Sequence, residues 1–504
     1  MLPVNRFINS IFVALCAAFT STGVHAQEGE GSAFVQAGAS IIDAFNNFVF
    51  SEVIVFGITT PWIVVWMGFP MLILTVYFAF INVRSFRQAS KVVRGHYHDD
   101  MAPGEVTQFQ ALSTALSGTI GLGNIAGVAV AISIGGPGAT FWMIIIGFCA
   151  MSLKFAECTL AVKYRDVRED GTVAGGPMYY LERGLKARGW GKVGKTLAWT
   201  YAILAIPSIL QIAQVNQSYE AIAAVTGFEG EATAWGFGIF IALLTAIVII
   251  GGIRSIAGVT AKLVPLMAGI YILGALVIIL GHITEVPAAF VTIFNGAFNP
   301  EGVAGGIAGV IIIGMKRAVY STEAGLGSSS MVHAAAKTRE PVSEGMVALM
   351  EPFIDTVLVS TMTALVIVIT GNYMIGQEVQ GISMTSAAFG SVISWFPYVL
   401  AVAAFMFGFS TIISWGYYSS KVWEFVWGGS SRSMNIFKVT YCVLLVPGAV
   451  FNVQTVYDLM DSMFFLMAIP NIIGIYLMAP ELKRDLQSYL ARIKSGEIKE
   501  THQH

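Results

Sequence analysis

The residues best suited to chemistry lie in the middle of an apolar run, STALSGTIGLGNIAGVAVA at 113–131. Its centre, 118–127, contains four glycines and Asn124, all of which form helices poorly. Unwound backbone inside a bilayer is tolerated only where it is buried in protein or lines a polar cavity. There its N–H groups can bind a carboxylate and its carbonyls a cation, and the asparagine adds a side-chain oxygen. The glycines could instead allow tight helix packing, since Gly123 and Gly127 have small-xxx-small spacing.

A second glycine-rich stretch, GGIAGVIIIG at 305–314, opens a later apolar run. After one apolar span at 60–81, five spans run from about 105 to 281 and five from about 303 to 480. Five is odd, so the second block enters the membrane from the opposite side, which is the pattern of an inverted-topology repeat. Each block opens with a glycine-interrupted span. Paired interruptions of this kind predict a substrate site between them at mid-membrane.

The composition is that of a membrane protein. Of 504 residues, 56% are hydrophobic and only 12% are charged, and the mean hydropathy is +0.72. A soluble domain has about twice that charged fraction. Apolar runs of about 20 residues therefore predict an all-α polytopic protein with about eleven transmembrane helices. The predicted spans are 60–81, 108–134, 141–163, 197–223, 234–252, 263–281, 303–319, 345–370, 387–420, 434–451 and 456–479.

The distribution of positive charge predicts the topology. Residues 1–26 resemble a signal peptide, with Arg6 before the apolar segment 11–19 and a small-x-small site just before Gln27, although an uncleaved anchor is the alternative. If the segment is cleaved, the mature N-terminus lies outside, and eleven crossings place the C-terminus in the cytoplasm. All remaining lysines and arginines then fall on the predicted cytoplasmic side, as the positive-inside rule requires. The chain is expected in the inner membrane of a bacterium.

Several blocks, in order, resemble the alanine or glycine:cation symporter family over about 60–480. The resemblance implies a LeuT-like core of five-plus-five inverted repeats preceded by one extra helix, with sodium-driven uptake of alanine or glycine by a monomer. Sodium is the coupling ion, and no other cofactor is implied. The blocks are TALSGTIGLGNIAGVAVAISIGGPGATFWM (114–143), LKFAECTLAVKYR (153–165), STEAGLGSSSMVHAAAKT (321–338), EPFIDTVLVSTMTALVI (351–367) and FGFSTIISWGYY (407–418).

The signal-like segment and the predicted spans divide the chain into parts. The expected signal peptide (1–26) precedes an external leader, the extra helix and a cytoplasmic linker (27–104). The first five-helix repeat (105–282), the second inverted repeat (297–480) and a cytoplasmic tail (481–504) follow.

The resemblance also implies which residues bind the substrate. The amides near Leu122 and Gly123 would hold its carboxylate, Gln214 would face it, and Trp415 would limit the size of its side chain. Backbone carbonyls of the second glycine-rich stretch would face its ammonium group, although Ile307 stands where the family has phenylalanine, which leaves the preference between alanine and glycine open. The implied substrate-binding residues are Leu122, Gly123, Asn124, Gln214, Gly305, Gly306, Ile307 and Trp415.

A sodium site is implied where FGFSTIISW approaches the first interruption. Neutral oxygen ligands suit a monovalent ion that must also leave. The Ser410 and Thr411 hydroxyls could instead bond to carbonyls of their own helix, as such residues commonly do. The implied sodium ligands are Ser117, Ile120, Phe407, Ser410 and Thr411.

A few charges fall inside predicted spans. Lys154 and Glu157 lie three residues apart on one helix face, so we expect them to form an ion pair, which could also act as a gate. Glu351 and Asp355 could bind protons. The two glycine-rich stretches contain no carboxylate, however, and this favours sodium as the coupling ion. His333 is expected in a surface or loop-packing position.

Other functions remain as alternatives. A proton-coupled or exchange-type carrier of small amino acids is the main one. A channel should show repeated polar rings along a pore, and no such spacing appears. An enzyme is not indicated, because the chain lacks HExxH, G-x-S-x-G and any useful cysteine–histidine grouping. A net charge of −2 without basic tracts gives no sign of a nucleic-acid partner, and the four cysteines are read as apolar fillers.

Overall fold

The computed structural model describes residues 43–55, 58–299, 306–374, 382–450 and 454–500. The predicted signal peptide, the first part of the leader and the last four residues lie outside this description. Within it the chain is almost entirely helical, with a helix at 43–49 and nineteen longer or site-forming helices. Those are α1 Trp62–Tyr77, α2 Phe86–Val93, α3 Gln108–Thr119, α4 Leu122–Gly135, α5 Gly138–Lys163, α6 Pro177–Lys186, α7 Gly191–Ala205, α8 Ile212–Thr226, α9 Glu231–Ile249, α10 Gly252–Gly281, α11 Val286–Phe298, α12 Gly306–Thr322, α13 Pro341–Ala348, α14 Ser360–Ile369, α15 Ile382–Gly390, α16 Phe396–Trp427, α17 Ser431–Leu445, α18 Gln454–Leu466 and α19 Ala468–Lys494.

Short elements join these helices. Two antiparallel hairpins pair β1 Glu52–Val55 with β2 Ile58–Pro61, Glu52 opposite Pro61, and β3 Asp166–Val167 with β4 Val173–Ala174. Single turns of helix occupy Ile81–Arg84, Ser330–His333 and Met350–Pro352, 3₁₀ turns occupy Ile206–Ile209, Asn372–Met374 and Val446–Ala449, and a π-helical turn spans Phe353–Val359.

Seven of the helical segments, counting continuous stacks as one, are long and apolar enough to cross a membrane, and the bent pair α3–α4 makes an eighth. Helix α1 has 16 residues and α17 has 15, so they fall short of the length used for that count. Helix α1 lies within the predicted span 60–81, and α17 overlaps the predicted span 434–451. The chain is therefore a multi-pass membrane protein, and the count of eleven spans stays a prediction.

Helix α10 shows how these helices face lipid. Leu266, Leu273, Val277 and Leu280 recur at helical spacing along one side and are all more than half exposed. An exposed apolar stripe of this length would be unstable in water but is stable against acyl chains. The opposite side of α10 carries the buried Met267, Tyr271 and Ile278, so the helix lies at the perimeter of the bundle.

Helix α3 begins with a capping box and ends early. The Thr107 hydroxyl accepts a hydrogen bond from the Gln110 amide, and the Gln110 side chain accepts one from the Thr107 amide. After Thr119 the backbone leaves the helix for two residues and resumes as α4, at an angle of 44°. The predicted interruption of the span 108–134 is confirmed.

Close packing of glycines generates a testable prediction in α9. A Cβ added at Gly238 would lie 1.9 Å from the Val446 carbonyl oxygen, whereas one added at Gly236 would meet nothing within 4 Å. We expect Gly238→Ala to destabilise the detergent-solubilised protein by about 1–3 kcal/mol through overpacking. Gly236→Ala, two residues away in the same helix, should leave the thermal unfolding midpoint unchanged or slightly higher. Equal midpoints for the two variants would contradict this packing.

Candidate functional site

A cavity of about 200 Å³ lies against the interruption between α3 and α4. Helices α7, α8, α12, α16 and α18 complete its wall. Four of the predicted substrate or sodium residues line it, Asn124, Gln214, Thr411 and Trp415. The lining residues are Gly118, Thr119, Gly121, Asn124, Leu204, Pro207, Ser208, Leu210, Gln211, Ala213, Gln214, Tyr320, Glu323, Thr411, Trp415, Met460, Asp461, Phe464 and Met467.

The interruption consists of Ile120 and Gly121. Ile120 has φ −75° and ψ 91°, and Gly121 has φ −121° and ψ −170°, so both are extended rather than helical. Helix α4 therefore starts inside the protein, with Leu122 and Gly123 as its first two residues. The first N–H groups of a helix have no partner within it and carry the positive end of its dipole. Such a helix end favours an anion, and the binding of a substrate carboxylate there stays a prediction.

Four oxygen atoms of α3 and α16 form a compact cluster beside the interruption. The Thr411 hydroxyl lies 3.1 Å from the Ser117 carbonyl oxygen and 2.9 Å from that of Phe407. The Ser410 hydroxyl lies 3.5 Å and 2.9 Å from the same two carbonyls. All four residues are buried. The structure thus brings together four of the five predicted sodium ligands, and Ile120 lies in the adjoining interruption.

The alternative role of these hydroxyls is also visible. Both Ser410 and Thr411 are within hydrogen-bonding distance of Phe407 in their own helix. A hydroxyl has one proton, so Thr411 can donate to Phe407 or to Ser117 but not fully to both. Back-bonding and an oxygen cluster therefore coexist here. Each hydroxyl donates its one proton to a carbonyl, and its oxygen keeps lone pairs that can face a cation.

Polar side chains of the cavity have unmet hydrogen-bonding capacity. The Asn124 amide nitrogen and the Gln214 amide oxygen are buried and have no hydrogen-bond partner among the described residues. A buried polar atom without a partner is costly, so each favours a polar ligand. Trp415 closes another side of the cavity and is held edge-on to Tyr418, with ring centroids 5.3 Å apart, and tilted against Phe464 at the same distance. The predicted places of Asn124, Gln214 and Trp415 in one cavity are supported by this geometry.

The second interruption does not lie where the glycines at 305–309 placed it. Gly305 is outside the described residues, and Gly306 and Ile307 form the start of the continuous helix α12. The Ile307 side chain is 44% exposed, and neither residue lines the cavity. The break comes instead at the other end of α12, over 323–329, before the short helix Ser330–His333. Our assignment of Gly306 and Ile307 to the ammonium group is wrong, because these glycines start a helix rather than unwind one.

The true second interruption carries a carboxylate. Glu323 has a φ of +50°, and Gly325 and Gly327 have φ of +99° and +74°, conformations that end a helix and that glycine adopts freely. The Glu323 side chain lines the cavity and accepts a hydrogen bond of 2.9 Å from the Ser328 hydroxyl. The expectation that the interruptions lack a carboxylate is therefore wrong. The sequence signal was present, since STEAGLGS puts a glutamate and two glycines directly after an apolar run.

Sequence reasoning missed Tyr320, which joins Glu323 and Asp461 in the cavity wall. Among the described residues, the cavity wall includes two carboxylates and no lysine or arginine. Its electrostatics therefore favour a cationic group at the Glu323 side and an anionic group at the α4 end.

The buried lysine of α5 has a different partner from the one expected. Lys154 lies 3.1 Å from Glu351 and donates a 2.8 Å hydrogen bond to Ser329 in the second interruption. Glu157 instead accepts hydrogen bonds from the Gly325 amide and the Asn471 side chain, both at 2.8 Å. The predicted Lys154–Glu157 ion pair is thus replaced by Lys154–Glu351. Both α5 side chains hold the second interruption in place.

His333 extends this network and is fully buried, so of the two expected positions it takes the packing one and not the surface one. Its two ring nitrogens each lie 2.6 Å from a carboxylate oxygen, of Glu344 on one side and of Glu351 on the other. Glu344 also accepts a 2.9 Å bond from Gln108, in the first turn of α3. A continuous buried chain of polar contacts therefore connects the start of the first interrupted helix to the second interruption.

This network generates a prediction about stability. Lys154→Met leaves Glu351 without its lysine, and uncompensated buried charges cost about 3–5 kcal/mol. The double variant Lys154→Met/Glu351→Gln removes the unpaired charge and should recover part of that loss. Thermal unfolding of the purified protein in detergent measures both effects. A Lys154→Met protein as stable as the wild type would contradict the pairing, and so would a double variant less stable than the single one.

Comparison with known proteins gives one consistent result. A profile of the sodium:alanine symporter family matches residues 7–503. The sodium/alanine symporter AgcS of Methanococcus maripaludis is 36% identical over 464 residues, which cover 91% of this chain and 99% of the relative. The amino-acid carrier protein AlsT of Bacillus subtilis is 34% identical over 427 residues, covering 84% and 88%.

A solved structure shares the fold. A Na⁺-coupled sialic acid symporter, in its substrate-bound outward-open state, superposes with a TM-score of 0.52 at 12% identity, covering 81% of this chain and 87% of that one. This similarity shows the fold alone, and the predicted LeuT-like architecture is confirmed by it.

Proposed function

The chain belongs to the sodium:alanine symporter family, and on that premise we propose that it imports alanine or glycine together with sodium by alternating access. The family is one of sodium-coupled amino-acid symporters and not of enzymes. The finer statement, a small neutral substrate and a defined sodium site, depends on the cavity at the interruption of α3 and α4.

The observation that carries the proposal is the arrangement of opposite electrostatic ends in one cavity. The N-terminus of α4, at Leu122 and Gly123, offers amides to a carboxylate, and Glu323 offers a carboxylate to an ammonium group. An α-amino acid carries both groups on the same carbon atom, Cα. Gln214 and Asn124 supply further hydrogen bonds, and Trp415 bounds the space left for a side chain.

Sodium would bind at the oxygen cluster formed by Ser117, Phe407, Ser410 and Thr411, with Ile120 contributing from the interruption. Thr411 belongs both to this cluster and to the cavity wall. An ion bound there would lie close to the substrate carboxylate and attract it. Each ligand would then raise the affinity of the other by the same factor, and this reciprocal coupling is what symport requires.

A proton-coupled or exchange-type carrier is the second candidate. It is favoured by Glu323 and Asp461, since carboxylates that line a transport cavity can carry protons. We favour sodium because the cluster at Ser410 and Thr411 consists of neutral oxygens, which do not bind protons at ordinary pH.

The remaining parts of the proposal concern placement. We propose a bacterial inner-membrane location, an external N-terminus after signal cleavage and a cytoplasmic C-terminus. One bundle of helices would rock against the rest to expose the cavity inward, with one chain sufficient for transport.

Uptake into proteoliposomes tests the function directly. We expect labelled alanine and glycine to accumulate under an inward sodium gradient, saturably, and not under a proton gradient alone. Competition by a panel of unlabelled amino acids should show inhibition falling with side-chain size, because Trp415 bounds the cavity. Accumulation driven equally by protons would favour the second candidate, and flux that does not saturate would favour a pore.

The sodium site predicts the behaviour of Thr411→Ala. Removing this hydroxyl takes one oxygen from the cluster, so we expect the sodium concentration for half-maximal uptake to rise about tenfold, equivalent to about 1.4 kcal/mol. Ser420→Ala is the matched control, because Ser420 lies on the same helix and bonds only to the Tyr417 carbonyl in its own turn. Sodium activation that is the same in Thr411→Ala and in the control would exclude the cluster as the ion site.

A further inference from the structure

Asp355 occupies an unusual turn away from the cavity. It lies in the π-helical turn Phe353–Val359, between the turn Met350–Pro352 and α14. Such turns are rare and often mark functional sites, because they displace side chains from regular helical positions. The Asp355 side chain is completely buried. A carboxyl group buried in a membrane segment is costly and is by default a candidate functional group.

One Asp355 oxygen is the end of a chain of hydroxyl groups. The Thr356 hydroxyl donates a 2.5 Å hydrogen bond to Asp355 Oδ1 and lies 2.7 Å from the Ser321 hydroxyl. Because Thr356 has a single proton, Ser321 must be the donor in the second contact. The direction of donation therefore runs from Ser321 through Thr356 to the carboxyl group. Ser321 lies in α12, two residues before Glu323 of the second interruption.

The other oxygen, Oδ2, is buried and has no hydrogen-bond partner among the described residues. An ionised Asp355 leaves this acceptor unmet, and a neutral one protonated at Oδ2 leaves a buried donor unmet instead. Neither protonation state is satisfied by the protein's own groups. The atom is therefore directed at a ligand that brings positive charge.

The charges around Asp355 point the same way. Its strongest charge interactions are with Lys154, Glu351 and Glu323, one cation and two carboxyl groups. The Lys154 amino group is held by Glu351 at 3.1 Å and by Ser329 at 2.8 Å, so it is committed elsewhere. Since Lys154 and Glu351 neutralise each other, Glu323 is the remaining charge of the three, and a second carboxyl group favours a cation at Asp355.

We propose that Asp355, Thr356 and Ser321 form a second binding site for a monovalent cation, sodium or a proton, separate from the cluster at Ser410 and Thr411. One carboxylate with two neutral hydroxyls suits a single positive charge better than a divalent ion, which takes more oxygen ligands. Since Ser321 adjoins the second interruption, occupancy of this site would stabilise the cavity wall at Glu323. The inference rests on the proposed symport, because it makes this cation a coupling ion.

The charge moved per amino acid tests the proposal. In proteoliposomes, the membrane potential at which net alanine flux reverses gives the number of charges transported with each alanine. We expect two charges in the wild type and one in Asp355→Asn, which keeps the shape of the side chain but not its charge. Varying sodium at fixed pH, and then pH at fixed sodium, shows which gradient ceases to contribute in the variant and so identifies the ion. A wild-type value of one, or an unchanged value in Asp355→Asn, would overturn the proposal.

Two further variants keep the test decisive if Asp355→Asn does not fold. Thr356→Val and Ser321→Ala retain the carboxyl group but break the hydroxyl chain, and each should weaken the apparent affinity for the identified cation about tenfold. Thr361→Val is the matched control, since among the described residues the Thr361 hydroxyl bonds to the Val357 carbonyl of the preceding turn alone. The apparent cation affinity of this variant should be unchanged. Equal affinities in all three would contradict the site.

A wild type that transports no alanine would refute the proposed function itself, whereas normal transport with one charge refutes only the second site.

Discussion

The need to satisfy backbone polar groups where no water is available constrains this whole structure. A bilayer-spanning helix can stop at Ile120 and restart at Leu122 only if other groups form hydrogen bonds with the backbone N–H and C=O groups that the helix leaves unpaired. Helix α16 provides this support with three hydroxyls, of which Thr411 and Ser414 donate to carbonyls of α3 at 3.1 and 3.0 Å. The same support creates the oxygen cluster, so the requirement for folding and the proposed sodium site have one physical origin.

The second interruption is stabilised by charge rather than by hydroxyls. Lys154 and Glu157 of α5 bond to Ser329 and to the Gly325 amide, and Asn471 of α19 bonds to the Gly325 carbonyl at 2.7 Å. Buried charges are costly unless they are paired and hydrogen-bonded. These charges are needed here because the backbone has positive φ at the alternate positions 323, 325 and 327, so it cannot form the regular hydrogen bonds of a helix. Scaffold helices on both sides therefore fix the segment that carries Glu323 into the cavity.

The sequence was informative where the signal was local and misleading where it depended on distant partners. Four glycines and an asparagine inside one apolar run are hard to reconcile with an unbroken helix, and the interruption lies at 120–121 within them. Glycines at 305–309 look the same in sequence, yet composition cannot distinguish glycines that start a helix from glycines that unwind one.

Lys154 has a carboxylate three residues away, and local spacing alone favours Glu157. Its actual partner, Glu351, comes from a helix distant in sequence, and only the fold brings the two together. The family resemblance located Gln214, Trp415 and the α16 hydroxyls, but it did not identify the cavity carboxylates.

The internal hydrogen bonds of the oxygen cluster have a consequence for ion release. Thr411 and Ser410 can direct their protons at the Phe407 carbonyl, so the protein satisfies these atoms by itself. A sodium ion at the proposed site would have to displace such bonds instead of meeting bare ligands, so its net free energy of binding would be smaller by the free energy of those hydrogen bonds. Moderate affinity of this kind would let the ion dissociate quickly on the side where it is dilute. A tighter and emptier cage would hold its ion through the cycle and slow every turnover.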